Sequence, residues 1–199
     1  MDYGKHESNE LQNLFSKRPF QIQEPEKAKI IFLGLDANIC KNIENDNFFY
    51  KEFSNYIEDG IKYWKNNEVH TPMLKSEYKG AGKRYHENFS KLGFTKENAE
   101  DICFLELLNV LTYGNTSKNL KIFSKMLKEN SNEIHLDRIK NLVKMKKIIC
   151  LSCSVKAFIE NIGLFNTFDN RIIAHTHFSN AISNNELKNL GNKLKEYIK

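Results

Sequence analysis

The chain has 199 residues, of which 40% are hydrophobic and 28% are charged. This length suffices for one full hydrophobic core, and the composition is that of a globular protein rather than an intrinsically disordered one. Because the apolar runs are short and residues 1–10 contain no apolar stretch, we expect no membrane span, no signal peptide and a cytoplasmic location. A net charge of +5 favours an anionic partner such as nucleic acid, although the abundance of Lys, Asn and Ile could reflect nucleotide composition alone.

Hydrophobic periodicity divides the chain into alternating helices and strands. In chain order it predicts a helix at 8–16, a buried strand at 29–33, one long helix at 49–64, a polar surface loop at 65–83 and a short helix at 85–92. A strand at 102–108, helices at 120–127 and 135–145, a strand at 147–151, a helix at 155–162 ending at Gly163, and a strand at 171–174 follow. Ser183 and Glu186 form a capping box that opens the last helix.

Strands that alternate with helices predict an α/β fold. We expect a three-layer α/β/α sandwich whose central sheet has four mostly parallel strands. With three prolines, no low-complexity linker and no internal repeat, residues 1–199 are expected to form one domain.

The four cysteines lie in or beside apolar stretches, which is typical of reduced core thiols rather than of a disulfide framework. They are Cys40, Cys103, Cys150 and Cys153. Cys150 and Cys153 form a C-x-x-C motif, but no second pair or histidine follows at the spacing of a zinc site. We therefore expect no metal ion there.

Ligands of parallel sheets bind beyond the carboxyl ends of the strands, which here selects residues 34–40, 109–115, 152–154 and 175–183. Asp36 directly follows a predicted strand, beside Gly34. Such an aspartate is either a turn or N-cap residue or part of a site. Asn109 and His177 follow two other predicted strands, so the three side chains could converge on one small ligand.

Three segments carry a resemblance to a known family. Residues 34–38 (Gly-Leu-Asp-Ala-Asn) stand for a Gly-x-Asp-Pro-Tyr motif, and residues 107–112 (Leu-Leu-Asn-Val-Leu-Thr) are close to Leu-Leu-Asn-x-x-Leu-Thr but one residue shorter. Residues 177–179 (His-Phe-Ser) stand for His-Pro-Ser-x-x-Ser, with Ser183 one residue late. In this order, each after a predicted strand, they resemble the uracil-DNA glycosylase superfamily.

The resemblance implies a DNA glycosylase that hydrolyses the N-glycosidic bond of uracil or a related damaged base, as in DNA repair by base excision. Such enzymes flip the nucleotide out of the duplex because the bond is unreachable in the stack. Asp36 would orient or deprotonate the attacking water and stabilise positive charge on the sugar. His177 would donate a hydrogen bond to the leaving base, and Asn109 would read the base edge with its amide. Further substrate-binding residues would be Gly34, Leu35, Asn38 and Ser179.

The family also places a stacking aromatic about a dozen residues after the aspartate and an apolar wedge after the third motif. Phe48 stands at the first place, although the neighbouring Phe49 fits the apolar stripe of the predicted helix. Ile182 stands at the second, with packing on the last helix as the alternative.

The loop at 78–86 interleaves basic, aromatic and glycine residues. Lys79, Lys83 and Arg84 would bind DNA phosphates there, unless the loop is simply solvated. It is not a Walker A loop, because Arg84 follows Lys83 where that motif requires Ser or Thr.

Two residues depart from the first family motif. Ala37 replaces the proline, and Asn38 replaces the tyrosine that excludes the thymine methyl group in the most uracil-strict branch. A wider substrate range is therefore plausible. The cysteines are arranged differently from those of the cluster-bearing branches, so we expect no iron–sulfur cluster and no other cofactor.

Two other functions remain open. His175 and His177, with Asp36 as a third ligand, would suit a zinc-dependent hydrolase. A non-catalytic nucleic-acid-binding protein of the same fold is the other, because a fold does not determine a function. In the glycosylase reading we expect a monomer with DNA as its partner and no metal.

Overall fold

The computed structural model describes residues 2–145 and 147–198, which form eight strands and eight α-helices. The strands are β1 (Gly4–Lys5), β2 (Gln21–Ile22), β3 (Ile30–Gly34), β4 (Ala37–Asn38), β5 (Ile102–Glu106), β6 (Leu111–Tyr113), β7 (Ile148–Ser152) and β8 (Ile172–His175). The helices are α1 (Asn9–Lys17), α2 (Asn47–Glu58), α3 (Gly60–Asn66), α4 (Lys83–Ser90), α5 (Leu120–Leu127), α6 (Asn130–Lys144), α7 (Cys153–Ile162) and α8 (Asn184–Lys195).

The larger sheet has the strand order β2-β5-β3-β7-β8. Its strands β5, β3, β7 and β8 are parallel and correspond to the four strands expected from apolar runs. The α/β class is therefore confirmed, but the sheet has five strands rather than four. The additional strand β2 pairs antiparallel with β5 over two residues, too short to leave a periodic signal in the sequence.

Helices cover both faces of this sheet. Along β3, Ile31 and Leu33 point to a core shared with α5, α6 and α7, whereas Ile30 and Phe32 point to a core shared with α3, α4 and α8. A strand buried on both faces has no polar alternation, which explains the continuous apolar run of β3. The protein thus has the three layers of an α/β/α arrangement.

A second, smaller sheet has the order β1-β6-β4. Two residues separate the end of β3 from the start of β4, and four residues separate the end of β5 from the start of β6. Helices α1 and α2 pack on this sheet through a separate apolar cluster. The small sheet therefore lies at the carboxyl ends of β3 and β5, where a ligand site is expected.

The helix predicted at 49–64 is two helices. The helix is interrupted at Asp59. The Asp59 carboxylate accepts a hydrogen bond from the backbone N–H of Lys62 at 3.0 Å and caps α3. At the break, a β-carbon on Gly60 would lie 2.6 Å from the backbone nitrogen of Ile22, so only glycine allows β2 to approach this closely. The apolar stripe alone did not reveal the break.

The segment at 65–83 is not the surface loop that its polarity suggests. His70 and Tyr78 are buried in it, and residues 72–74 form a turn of 3-10 helix. In contrast, the helix end at Gly163 (φ 62°) and the capping box of Ser183 with Glu186 are confirmed. Within the described residues no helix has the length and apolar character needed to cross a membrane.

All four cysteines are free thiols. Cys103 and Cys150 are buried in the core, as expected, and burial raises their thiol pKa values. Cys40 is half-buried. Cys153 is exposed in the first turn of α7, so it is not a core residue.

Candidate functional site

A cavity of about 610 Å³ lies at the carboxyl ends of β3 and β5. Residues 34–39 line it together with side chains from the smaller sheet, from α4 and from the segment after β8. Aromatic rings contribute much of its wall, among them Tyr56, Tyr85 and Phe104. The cavity therefore lies at the edge of the sheet that the strand-end rule selects.

Asp36 is held in the cavity by three hydroxyl groups. Its Oδ2 accepts hydrogen bonds from Tyr3 Oη at 3.2 Å and from Thr112 Oγ1, and its Oδ1 accepts one from Thr116 Oγ1 at 2.8 Å. Burial raises the pKa of Asp36, and the three hydroxyl donors oppose that rise. The carboxylate is thus fixed in orientation by groups that favour its charged form.

These donors come from parts of the chain that no local motif connects. Tyr3 precedes β1, Thr112 lies on β6, and Thr116 belongs to the turn that follows. The antiparallel pairing of β1 with β6 places Tyr3 beside the end of β3. Sequence reasoning identified Asp36 but missed all three of its partners.

Asn38 lines the cavity but its amide is engaged. Its Nδ2 donates to the carbonyl oxygen of Gly114 at 2.8 Å, and its Oδ1 is buried without a partner among the described residues. Gly114 has φ 91°, and a β-carbon there would overlap the backbone of Asp2. Asn38 therefore holds a tight turn against the first residues of the chain.

A second carboxylate, that of Glu106, also lines the cavity. Glu106 is the last residue of β5 and is paired in register with Gly34. Its carboxylate accepts no hydrogen bond from any described residue, while burial and the nearby Asp36 raise its pKa well above the usual range. The signal that could have identified it is a charged residue inside the apolar run at 102–108.

His177 lines the cavity from the segment after β8. Its Nδ1 accepts a hydrogen bond from the backbone N–H of Ser179 at 3.2 Å, and its ring centroid lies 5.7 Å from that of Tyr85. Burial lowers the pKa of His177, which favours the neutral imidazole. Because Nδ1 is the acceptor, the neutral ring carries its proton on Nε2 and can donate from there.

A pair of buried histidines lies behind this wall. His70 Nε2 and His86 Nδ1 are 2.9 Å apart, and His86 lines the cavity. Burial lowers the pKa of His86 to about 3, and burial together with His86 lowers the pKa of His70. Both rings are therefore neutral near pH 7, and one donates a hydrogen bond to the other. No sequence motif had indicated this pair.

Asn109 does not line the cavity. Its Nδ2 donates to the carbonyl oxygen of Ser131 at 2.6 Å, and its backbone N–H donates to Asn132 Oδ1 at 2.9 Å. The side chain thus attaches the end of β5 to the first turn of α6. Strand β5 ends at Glu106, two residues before the end of the predicted strand, and Asn109 lies beyond it.

Phe48 is also outside the cavity. It lies in the first turn of α2 with 54% of its surface exposed, packed edge-on against Phe49 and below the Lys75 ammonium group. Phe49 is buried in the cluster under the small sheet, as the helix stripe predicted. The aromatic rings that do face the cavity belong to other elements.

The predicted DNA contacts have different surroundings. Lys79 and Arg84 are exposed, whereas Lys83 Nζ donates to the carbonyl oxygens of Lys75, Ser76 and Tyr78 at 3.0–3.3 Å. Lys83 thus holds the preceding loop together.

After β8, Ser179 is exposed and lines the cavity, together with Gly34 and Leu35 from the opposite wall. Ile182 is half-buried against the core that contains α8. It therefore packs beside the last helix, as the alternative to a wedge had it. It is therefore not free to act as a wedge in this conformation.

His175 donates from Nδ1 to the carbonyl oxygen of Thr176 at 2.7 Å and stacks on Phe178 with ring centroids 4.2 Å apart. In residues 2–145 and 147–198, no three His, Cys, Asp or Glu side chains are grouped so that they could hold a metal ion. The predicted set of His175, His177 and Asp36 is not such a group.

Comparison of the chain with protein-family models, with curated proteins and with solved structures gives no match. Similarity therefore assigns no family. The function has to be inferred from the chemistry of the cavity.

Proposed function

We propose that this chain is a hydrolase that cleaves the N-glycosidic bond of a nucleotide, with uracil or a related damaged base flipped out of DNA as its substrate. The observation that carries the proposal is the placement of Asp36, a carboxylate fixed by three hydroxyl donors inside an aromatic-lined cavity. The resemblance of residues 34–38 and 177–179 to glycosylase motifs adds to it, whereas residues 107–112 add nothing, because their Asn109 lies outside the cavity.

The chemistry needs a fixed negative charge. When the bond between sugar and base breaks, positive charge grows on the sugar ring, and a preorganised carboxylate stabilises it without reorganising. The hydroxyl groups of Tyr3, Thr112 and Thr116 hold Asp36 for this role. The same carboxylate can accept a proton from the attacking water.

The cavity suits a planar leaving group. A volume of about 610 Å³ lies within the range of small-molecule sites, and its aromatic wall offers stacking surfaces for a base. Neutral His177, protonated on Nε2, supplies a donor for the negative charge that develops on the base. The cavity therefore has a carboxylate to stabilise the positive charge on the sugar and an imidazole N–H to stabilise the negative charge on the base.

The proposed contact with DNA rests on the loop before α4. Ala81 and Gly82 of this loop line the cavity, and the adjacent Lys79 and Arg84 are exposed. Cations at this position would meet phosphates on either side of a flipped nucleotide. Lys83 and Ile182 are left out of the proposed interface, because both are engaged within the protein.

The test uses labelled oligonucleotides that contain uracil, hypoxanthine or a thymine mismatch, single- and double-stranded, followed by alkaline cleavage at abasic sites. We expect product from the wild-type chain and a rate lower by about 10³-fold or more in Asp36→Asn. Asp137→Asn, which makes the same change on the exposed face of α6, should retain full activity.

Absence of product from every substrate, with an active control enzyme alongside, would refute the proposal. DNA binding that is equal in the wild type and Asp36→Asn, without any cleavage, would instead identify a non-catalytic binding protein. Addition of a chelator should leave the rate unchanged, and a loss would favour the zinc-dependent hydrolase.

A further inference from the structure

We propose that Glu106 recognises the base as a neutral carboxylic acid, and that the cavity takes heterocycles that present a hydrogen-bond acceptor beside an N–H group. The proposal rests on the proposed function for the nature of the ligand, a nucleobase. It assigns the reading of the base edge to Glu106 in place of Asn109, whose amide is bound to Ser131.

Glu106 is placed on the cavity wall by a central strand. Its carboxylate lies in the cavity, over the α-carbon of Gly34 and at the end of a central strand, so it is held on a rigid element. It is the only carboxylate besides Asp36 among the described residues that line the cavity. No described residue donates a hydrogen bond to it, so its hydrogen-bonding groups remain available to a ligand.

The surroundings of Glu106 favour its neutral form. Asp36 provides a neighbouring negative charge, and no lysine or arginine occurs among the described residues that line the cavity. The other titratable groups that line the same cavity are Tyr56 on α2, Tyr85 and His86 on α4, and His177 after β8. His135 on α6 donates from Nε2 to its backbone oxygen at 2.8 Å.

None of these neighbours supplies a positive charge near pH 7. Burial lowers the pKa values of His86, His135 and His177, and it raises those of Tyr56 and Tyr85. The imidazoles are therefore neutral and the phenols protonated. Asp36 keeps its charge more easily than Glu106, because three hydroxyl groups donate to it and none to Glu106.

The protonation state determines which ligand edge fits. An ionised carboxylate only accepts hydrogen bonds, whereas a neutral carboxyl group has one O–H donor beside a carbonyl acceptor. It can therefore form two parallel hydrogen bonds with the N3–H and O4 edge of uracil or with the N1–H and O6 edge of hypoxanthine. A base whose N–H is replaced by N-methyl cannot form this pair and leaves a buried polar group unmatched.

The experiment measures the binding of 2′-deoxyuridine and 2′-deoxyinosine to the full chain by calorimetry, with their N3-methyl and N1-methyl derivatives as matched probes. In these nucleosides the glycosidic nitrogen carries the sugar, so methylation removes the only N–H beside a carbonyl oxygen. Glu106→Gln keeps one donor and one acceptor in nearly the same shape, whereas Glu106→Leu keeps neither. Glu87→Gln makes the same substitution on the exposed side of α4 and serves as the control variant.

We expect Glu106→Gln to bind both nucleosides within about threefold of the wild type and Glu106→Leu to bind at least about tenfold more weakly. The N-methylated nucleosides should lose at least about tenfold on the wild type and on Glu106→Gln, but not on Glu106→Leu. Wild-type affinity should fall as the pH rises and Glu106 ionises, while that of Glu106→Gln stays level over the same range.

Several results would overturn the inference: no binding of either nucleoside to the wild type, equal binding of methylated and unmethylated nucleosides, or a loss in Glu106→Gln as large as in Glu106→Leu. These results are separable from a failure of the proposed function. If base binding depends on Glu106 but no oligonucleotide is cleaved, the proposed hydrolase is refuted, whereas base recognition by Glu106 is supported. Oligonucleotide cleavage at the same rate in Glu106→Leu and in the wild type would support the hydrolase but refute base recognition by Glu106.

Discussion

The carboxylate of Glu106 occupies the space that a β-carbon on Gly34 would fill. The two residues are register partners on adjacent parallel strands, β5 and β3. A side chain at position 34 and a carboxylate at position 106 therefore exclude each other. The glycine that marks the start of the site in the sequence has its clearest role here, in making room for a residue 72 positions later in the chain.

Gly34→Ala should displace the Glu106 side chain. The clash is with the far end of a flexible side chain, so the carboxyl group can move aside into the cavity while the strands stay in place. We therefore expect the free energy of unfolding in denaturant to change by less than about 1 kcal/mol, whereas base binding is lost. In the double variant Gly34→Ala with Glu106→Ala, the two changes should be strongly non-additive; additive losses would show that the two residues do not compete for space.

Tyr3→Phe removes one of the three hydroxyl donors to Asp36. With one donor fewer the charged form is less favoured, so the pKa of Asp36 rises and the acidic limb of the pH–rate profile moves to higher pH. We expect the cleavage rate to fall about tenfold with little change in KM. Tyr197→Phe, on an exposed tyrosine, is the control, and an unshifted acidic limb in Tyr3→Phe would contradict the role.

Glu106→Gln should change how stability depends on pH. The pKa of Glu106 is raised in the folded protein, so the folded state binds more protons than the unfolded state between the ordinary and the raised pKa. Stability from this group is complete below the ordinary glutamate pKa and is lost as the pH rises through the raised value. The variant should therefore become progressively more stable than the wild type toward alkaline pH, as measured by urea unfolding, whereas Glu87→Gln should show no such trend.

His70 and His86 should remain neutral well into the acidic range. Their pKa values are lowered, that of His86 to about 3, so the unfolded state takes up protons first as the pH falls below the ordinary histidine value. The stability that this pair contributes is present above that value and is lost progressively toward pH 3. Imidazole nitrogen shifts in an NMR titration will follow both rings directly. Protonation of either ring near its ordinary pKa in the folded protein would contradict the pair described here.

Lys83 and its two basic neighbours should differ in their effects. Lys83→Met removes three hydrogen bonds to loop carbonyls and should destabilise the protein by about 1–3 kcal/mol. Lys79→Met and Arg84→Met should leave stability within about 0.5 kcal/mol. Lys79→Met and Arg84→Met should each also reduce the slope of log affinity against log salt concentration by about one. The affinity is measured for a uracil-containing oligonucleotide from about 50 to about 200 mM salt. A salt slope that changes only in Lys83→Met would show that Lys83, and not Lys79 or Arg84, contacts DNA.

The parallel strands could be predicted from the sequence, because a strand buried on both faces is a continuous apolar run. The run at 29–33 became β3 and that at 147–151 became β7, each shifted by one residue. Strand β2 could not be predicted, because its two residues are held by pairing with β5 rather than by any pattern of their own. The break at Asp59 was equally hidden, since the apolar stripe continues across it.

For the candidate site, the sequence indicated the position of Asp36 but not the orientation of other side chains. Asn109 was expected in the cavity because an amide at a strand end suits base reading. In the structure Asn109 lies beyond the end of β5, and its amide is bound to the backbone of α6 instead. To predict which side chains point into the cavity, both the residue types and the register of β5 have to be known. The apolar run at 102–108 gave no information on that register.

The hydroxyl groups around Asp36 also bear on the order of folding. Their hydrogen bonds join residues 33, 76 and 80 positions apart, so the carboxylate acquires its partners only when three distant segments have docked. A chain with its central sheet formed but its small sheet open would carry Asp36 as a hydrated, freely rotating carboxylate. The proposed activity should therefore disappear before the core unfolds, and hydrogen exchange at β1 and β6 should report the opening of the small sheet before that of β3 and β7.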